Sequence, residues 1–134
     1  MSQYLFAYGT LQPGRAPKEI ARVVAKLSPV GKGHVHGVLY DLGEYPGAIL
    51  NLSSNRRITG TVLRLPDAPG ILQQLDKYEG FDPGAPATSL FLRKLHPVAL
   101  AADRILQCWI YVYNRKPGTA RILTSGSYRK KLYE

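Results

Sequence analysis

Cysteine is almost missing from this chain: Cys108 is the only one in 134 residues. A single thiol excludes an intramolecular disulfide. It also fits a reducing compartment, so the expected location is the cytoplasm. Acidic residues are scarce too, nine Asp and Glu against eighteen Lys and Arg, for a net charge of +9. The basic residues are scattered, with short clusters at Arg56-Arg57 and Arg129-Lys130-Lys131. A stripe of cations with interleaved aromatics is lacking, so the excess reads as a solvated surface that also attracts small acids. No nucleic-acid partner is expected. No run is long and apolar enough to cross a bilayer, so no membrane partner is expected. The start, MSQYLF, lacks a basic segment followed by an apolar block, and no signal peptide is expected. Phosphate-loop and dinucleotide fingerprints are absent, as is a serine-centred elbow. His34 and His36 share a strand face, but no third ligand lies near them in the sequence, and no metal is expected.

Apolar residues make up 45% of the chain, and thirteen Gly and ten Pro punctuate it throughout. This length and composition describe one domain, residues 1–134. Period-two alternation predicts strands at 4–8, 33–40, 47–50, 58–65, 88–95 (extending past Pro97) and 106–113. The last puts Leu106, Cys108, Ile110 and Val112 on one face and Gln107, Trp109, Tyr111 and Tyr113 on the other. Helical spacing of Ile20, Val23, Val24 and Leu27 predicts a helix over 17–27. A second helix is predicted to open at Asp67 as N-cap with Pro69 in its first turn, and to stop at Gly80. Its buried face is Ile71, Leu72, Leu75 and Tyr78. The expected fold is α+β: a small mixed, mainly antiparallel β-barrel with flanking α-helices. The segment after 115 has no clear periodicity, although Tyr128 and Leu132 can pack back on the body.

Two features carry chemistry. The strand at 4–8 runs directly into the turn Tyr8-Gly9-Thr10-Leu11. Gly9 opens backbone conformations closed to other residues, so successive N–H groups can converge on a carboxylate or oxyanion. The second feature is Glu79, in the last turn of the second helix. The negative end of the helix dipole, like charge from Asp76 and Asp82, and desolvation would all raise its pKa. Lys77 would oppose them. A carboxyl titrating near neutrality serves as both base and acid. Read without that context, either feature is an ordinary strand turn or an exposed helix-end acid. In GVLYDLGEYPG, at 37–47, Tyr40 and Tyr45 are candidate pocket walls. Cys108 alternates with apolar neighbours and reads as core.

YLFAYGTLQPG at 4–14, GVLYDLGEYPGAI at 37–49, LDKYEGFDP at 75–83, WIYVYN at 109–114 and SGSYRKKL at 125–132 together resemble the gamma-glutamyl cyclotransferase-like family. Their order and spacing match across nearly the whole chain. The resemblance implies a small mixed barrel with a pocket at one end. It implies intramolecular aminolysis of a gamma-glutamyl amine or peptide, releasing 5-oxoproline without metal or cofactor. It carries the acid/base role to Glu79 and substrate binding to Tyr8, Gly9, Thr10 and Leu11, with Tyr45 and Tyr113 as pocket residues. The loop at 8–11 would hold either the oxyanion or the substrate's α-carboxylate. The family's terminal signature commonly has Asp where this chain has Ser127. A rival from another class is a non-catalytic module binding an acidic metabolite in the same pocket. The leaving amine and the oligomeric state are not specified by the sequence.

Overall fold

A computed structural model describes residues 2–128. Seven strands are present: β1 Gln3–Ala7, β2 Ser28–Asp41, β3 Pro46–Leu50, β4 Arg57–Leu65, β5 Phe91–Leu100, β6 Ile105–Tyr113 and β7 Arg121–Ile122. Two α-helices, α1 Ala21–Val24 and α2 Ile71–Glu79, interrupt them. Strands β2, β4, β1, β6 and β5 lie side by side in that order, and β5 pairs back onto β2 to close a five-stranded barrel. The β1–β6 pair, with Leu5 opposite Trp109, is parallel, and the other barrel pairs are antiparallel. Closure removes exposed sheet edges. The far half of β2 leaves the barrel and pairs with β3 and β7.

Strand alternation sorts side chains into two cores. Phe6, Val35, Ile58, Val62, Val98, Cys108 and Ile110 fill the barrel, all nearly inaccessible to solvent. Leu5, Ala7, Leu63 and Tyr111 point to the opposite side, where Ile20, Val23, Val24, Leu27, Ile71 and Leu75 cover them. Each fully buried aliphatic side chain contributes about 1.5–3 kcal/mol. The predicted facing of β6 holds for Cys108, Ile110 and Val112; on its other face Tyr111 is buried under the helices, Trp109 and Tyr113 are half-buried and Gln107 is exposed.

Three boundaries differ from expectation. The helix over 17–27 shrinks to Ala21–Val24, flanked by bonds that span only three residues, such as Ile20 N–H to the Pro17 carbonyl and Leu27 N–H to the Val24 carbonyl. Ser28 precedes Pro29 and is pushed toward extended backbone, so β2 starts there. Its four apolar residues are buried as predicted. Helix α2 opens at Gly70, in the left-handed region at φ 85°, instead of at Asp67. Pro69-Gly70 turns the chain first, which leaves Asp67 outside the helix. Residues 86–88 form a 3-10 turn, and β5 begins at Phe91. The short β7 was not foreseen. Tyr128 does pack back, against the barrel core, whereas Leu132 lies outside the described residues.

Candidate active site

Glu79 is the last residue of α2, and the helix stops there for a local reason. Gly80 adopts φ 73°, its N–H bonds to the Lys77 carbonyl at 3.3 Å, and the Phe81 N–H bonds to the Asp76 carbonyl at 2.9 Å. This is the Schellman arrangement that ends helices at glycine. It aims Glu79 into a cavity of about 220 Å3. β1 and its following turn form one wall of that cavity, with Tyr8, Gly9, Thr10 and Leu11 all lining it. Tyr45 and Pro46 form a second wall, and Tyr78, Leu90, Phe91 and Tyr111 complete it.

Burial pushes the Glu79 carboxyl up from 4.5 to about 7. Among the described residues, no hydrogen bond or ion pair reaches that carboxyl. The expected like-charge push from Asp76 and Asp82 is not among the causes. Asp76 is neutralised: Arg93 Nε donates to its Oδ1 at 2.7 Å and Nη2 to its Oδ2 at 3.1 Å. The Tyr111 hydroxyl also donates to Asp76 Oδ1, at 2.7 Å. Arg93 in turn lies over the Trp109 ring, 4.3 Å from its centroid. Asp82 accepts the Gly84 N–H at 2.9 Å within its own turn. Lys77 is exposed and takes no part.

Four tyrosines surround the acid. Tyr8 is buried, donates its hydroxyl to the Tyr111 carbonyl and accepts the Ala48 N–H at 3.4 Å. Its phenol is raised far above 10, first by burial and then by the negative charge of Glu79. Tyr45, Tyr78 and Tyr111 are raised as well, with burial the largest cause in each and Glu79 contributing in each. All four phenols therefore stay protonated near neutral pH, as hydrogen-bond donors.

Of the sequence-predicted pocket residues, Tyr8, Gly9, Thr10, Leu11, Tyr45 and Glu79 border this cavity, and Tyr113 and Tyr40 do not. Tyr113 backs it instead, with its ring 5.6 Å from that of Phe91. Tyr40 is not on the wall either, since it sits on β2 opposite Gly47 and Ile122. Gly9 has an ordinary φ, contrary to expectation. It packs closely instead: a Cβ there would come within 3.2 Å of Pro46 Cγ. Among the described residues nothing accepts the backbone N–H groups of Gly9, Thr10 or Leu11, so these donors are available to a ligand. The sequence reading missed Tyr78, Phe91, Tyr111 and the Asp76–Arg93 pair. A signal existed for the pair: Asp76 follows Leu72 by four residues, a charge set within an apolar helical stripe. His34 and His36 meet edge to face at 6.2 Å. Among the described residues no group of three or more His, Cys, Asp or Glu could hold a metal ion. Nor is any described helix long and apolar enough to cross a membrane.

A closed five-stranded barrel, with an acid that is unpartnered among the described residues in a cavity between β1 and the end of α2, defines a class of small β-barrel protein. The sequence profile described as "Gamma-glutamyl cyclotransferase, AIG2-like" matches residues 5–130, and the chain belongs to this family. Among solved structures, an AIG2-like protein from Mus musculus superposes with a TM-score of 0.70 at 17% identity, covering 96% of this chain and 88% of that one. Protein ytfP from Escherichia coli gives 0.65 at 24% identity, covering 94% and 96%. YkqA from Bacillus subtilis gives 0.68 at 19% identity; 96% of this chain is covered, but the chain spans only 40% of YkqA. At these identities the likeness concerns the fold. No curated protein matches the chain at a significant level of sequence similarity.

Proposed function

We propose that this protein is a gamma-glutamyl cyclotransferase that converts a gamma-glutamyl amine or peptide into 5-oxoproline and a free amine, with Glu79 as general acid and base. The observation that carries this reading is a carboxyl held near neutrality by burial in the same cavity as three unused backbone donors. The substrate's α-amine is an ammonium at neutral pH and cannot attack. Ionised Glu79 takes a proton from it. The freed amine attacks the gamma-carbonyl carbon, a five-membered ring forms, and the carbonyl oxygen gains negative charge. The N–H groups of residues 9–11 are suited to stabilise that oxygen or to hold the substrate's α-carboxylate. Glu79 then returns its proton to the leaving nitrogen as the carbon–nitrogen bond breaks. Overall, the α-nitrogen gives up two protons and the leaving nitrogen gains two, so no cofactor is required for balance. The tyrosine and aliphatic walls exclude water, which would otherwise compete with the amine.

The test is a panel of gamma-glutamyl amino acids, gamma-glutamylamines and glutathione, with 5-oxoproline as readout. At least one member is turned over by the wild type. Glu79→Gln, folded by circular dichroism, forms no detectable product. Activity retained in that variant rejects the assignment. Saturable binding across the panel without turnover would instead indicate a binding module for acidic metabolites.

A further inference from the structure

On its far side Tyr8 borders a second recess, of about 170 Å3. Gln12, Arg15, Lys32, Thr59 and Ser127 are among its other walls, and Tyr8 is the one residue that lines both spaces. Gln12 ties the two together: its Nε2 donates to the Gly9 carbonyl at 2.8 Å and its Oε1 accepts the Thr61 hydroxyl at 2.9 Å. That amide is used internally. The hydroxyls of Thr59 and Ser127 bond each other. Arg15 and Lys32 differ: among the described residues, neither side chain has an ion pair or hydrogen bond. Among the described residues no acidic residue lines the recess.

The Glu79 cavity has the opposite character. Among the described residues no Lys or Arg lines it, and its one charge is negative when ionised. A substrate whose leaving portion carries a carboxylate would be repelled there and finds no counter-charge. The adjoining recess, one side chain away, supplies two. Exposed cations act over a Debye length of about 8 Å at physiological salt, so these two attract a carboxylate that enters the recess.

We infer that the Arg15–Lys32 recess is the subsite for the leaving portion of the substrate, and that it selects a carboxylate. This rests on the reading of the Glu79 cavity given above. The preferred leaving group is then an amino acid or peptide with a free carboxylate, in place of a plain amine.

The experiment compares gamma-glutamyl-alanine with gamma-glutamyl-ethylamide, which lacks only the carboxylate. The wild type prefers the former by about tenfold in kcat/KM, mostly through KM, as a solvent-exposed charge-assisted contact allows. The preference shrinks as salt rises. Arg15→Ala/Lys32→Ala brings the ratio close to one, and Ser127→Asp, which sets a carboxylate in the recess, lowers it. Lys94→Ala/Lys116→Ala removes the same charge from exposed positions elsewhere and keeps the ratio. Equal kcat/KM for the two compounds in the wild type, or a ratio that survives Arg15→Ala/Lys32→Ala, overturns the inference. If neither compound nor any other member of the panel yields 5-oxoproline, the catalytic reading fails and calorimetry decides the subsite separately. Gamma-glutamyl-alanine should then bind Glu79→Gln more tightly than the same protein carrying Arg15→Ala/Lys32→Ala. Equal affinity, or no binding to Glu79→Gln, overturns it.

Discussion

Asp76 and Glu79 sit three residues apart on one helix, yet they meet opposite surroundings. Asp76 is 4% exposed and fully engaged, by both guanidinium nitrogens it faces and by a phenol. Glu79 faces open cavity and four phenols, and among the described residues no cation lines that cavity. One carboxyl fastens the C-terminal turn of α2 to β5 and β6. The other is left without partners, and so its proton is exchangeable near neutral pH. On the proposed reading, fixing the first positions the second, because a proton carrier must be held within hydrogen-bond reach of its substrate. A buried ion pair adds little net stability over apolar packing, but breaking it leaves a lone charge.

Removing each partner in turn breaks the comparison in different observables. Glu79→Gln gives the largest effect: turnover falls by about 10³-fold or more in a 5-oxoproline assay. Its unfolding midpoint in urea at pH 8 stays the same or rises, because the buried charge is gone. Asp76→Asn does the reverse in stability. It strands the Arg93 guanidinium and costs about 3 kcal/mol in denaturant unfolding. Activity falls with it, since α2 loses its anchor.

The pH dependence sharpens the contrast. The folded state holds the Glu79 proton more tightly than the unfolded chain does, with a value raised from 4.5 to about 7. The stability this contributes is complete below about 4.5 and is lost as pH rises through 7. The loss is at most about 3 kcal/mol, and less to the extent that water enters the cavity. It is absent in Glu79→Gln, as urea titrations at several pH values will show. In activity the sign is reversed: kcat/KM falls below about pH 7, where Glu79 is protonated and cannot take the ammonium proton. The smallest effect is expected from Asp82→Asn. That inflection should stay in place, because the Asp82 carboxylate caps its own turn. A shift of half a unit or more would restore like-charge repulsion as a cause.

Much of this was legible in advance. Alternation at 4–8, 33–40, 58–65 and 106–113 marked four of the barrel strands, since a strand with a buried face cannot hide its period. Gly80 marked the end of α2, because a left-handed residue is cheapest as glycine. The turn after β1 and the acid at 79 stood out as candidates. Of the causes expected to raise the acid's pKa, desolvation is found and like charge from Asp76 is not. From the sequence Asp76 is simply a nearby negative charge, and the pairing that silences it comes from Arg93, seventeen residues later on β5.

The sequence by itself determined the periods, the breaks and the chemical types: which segments form strands, where α2 stops, and that a carboxyl follows a tyrosine at its end. Those are local properties, set by backbone sterics and by side-chain spacing over a few residues. Only the tertiary structure decided that among the described residues Glu79 has no partner while Asp76 has three contacts, that Tyr8 borders two cavities, and that Gly9 packs closely against Pro46. Desolvation and pairing depend on which distant strands come within a few ångströms, and barrel closure fixes that.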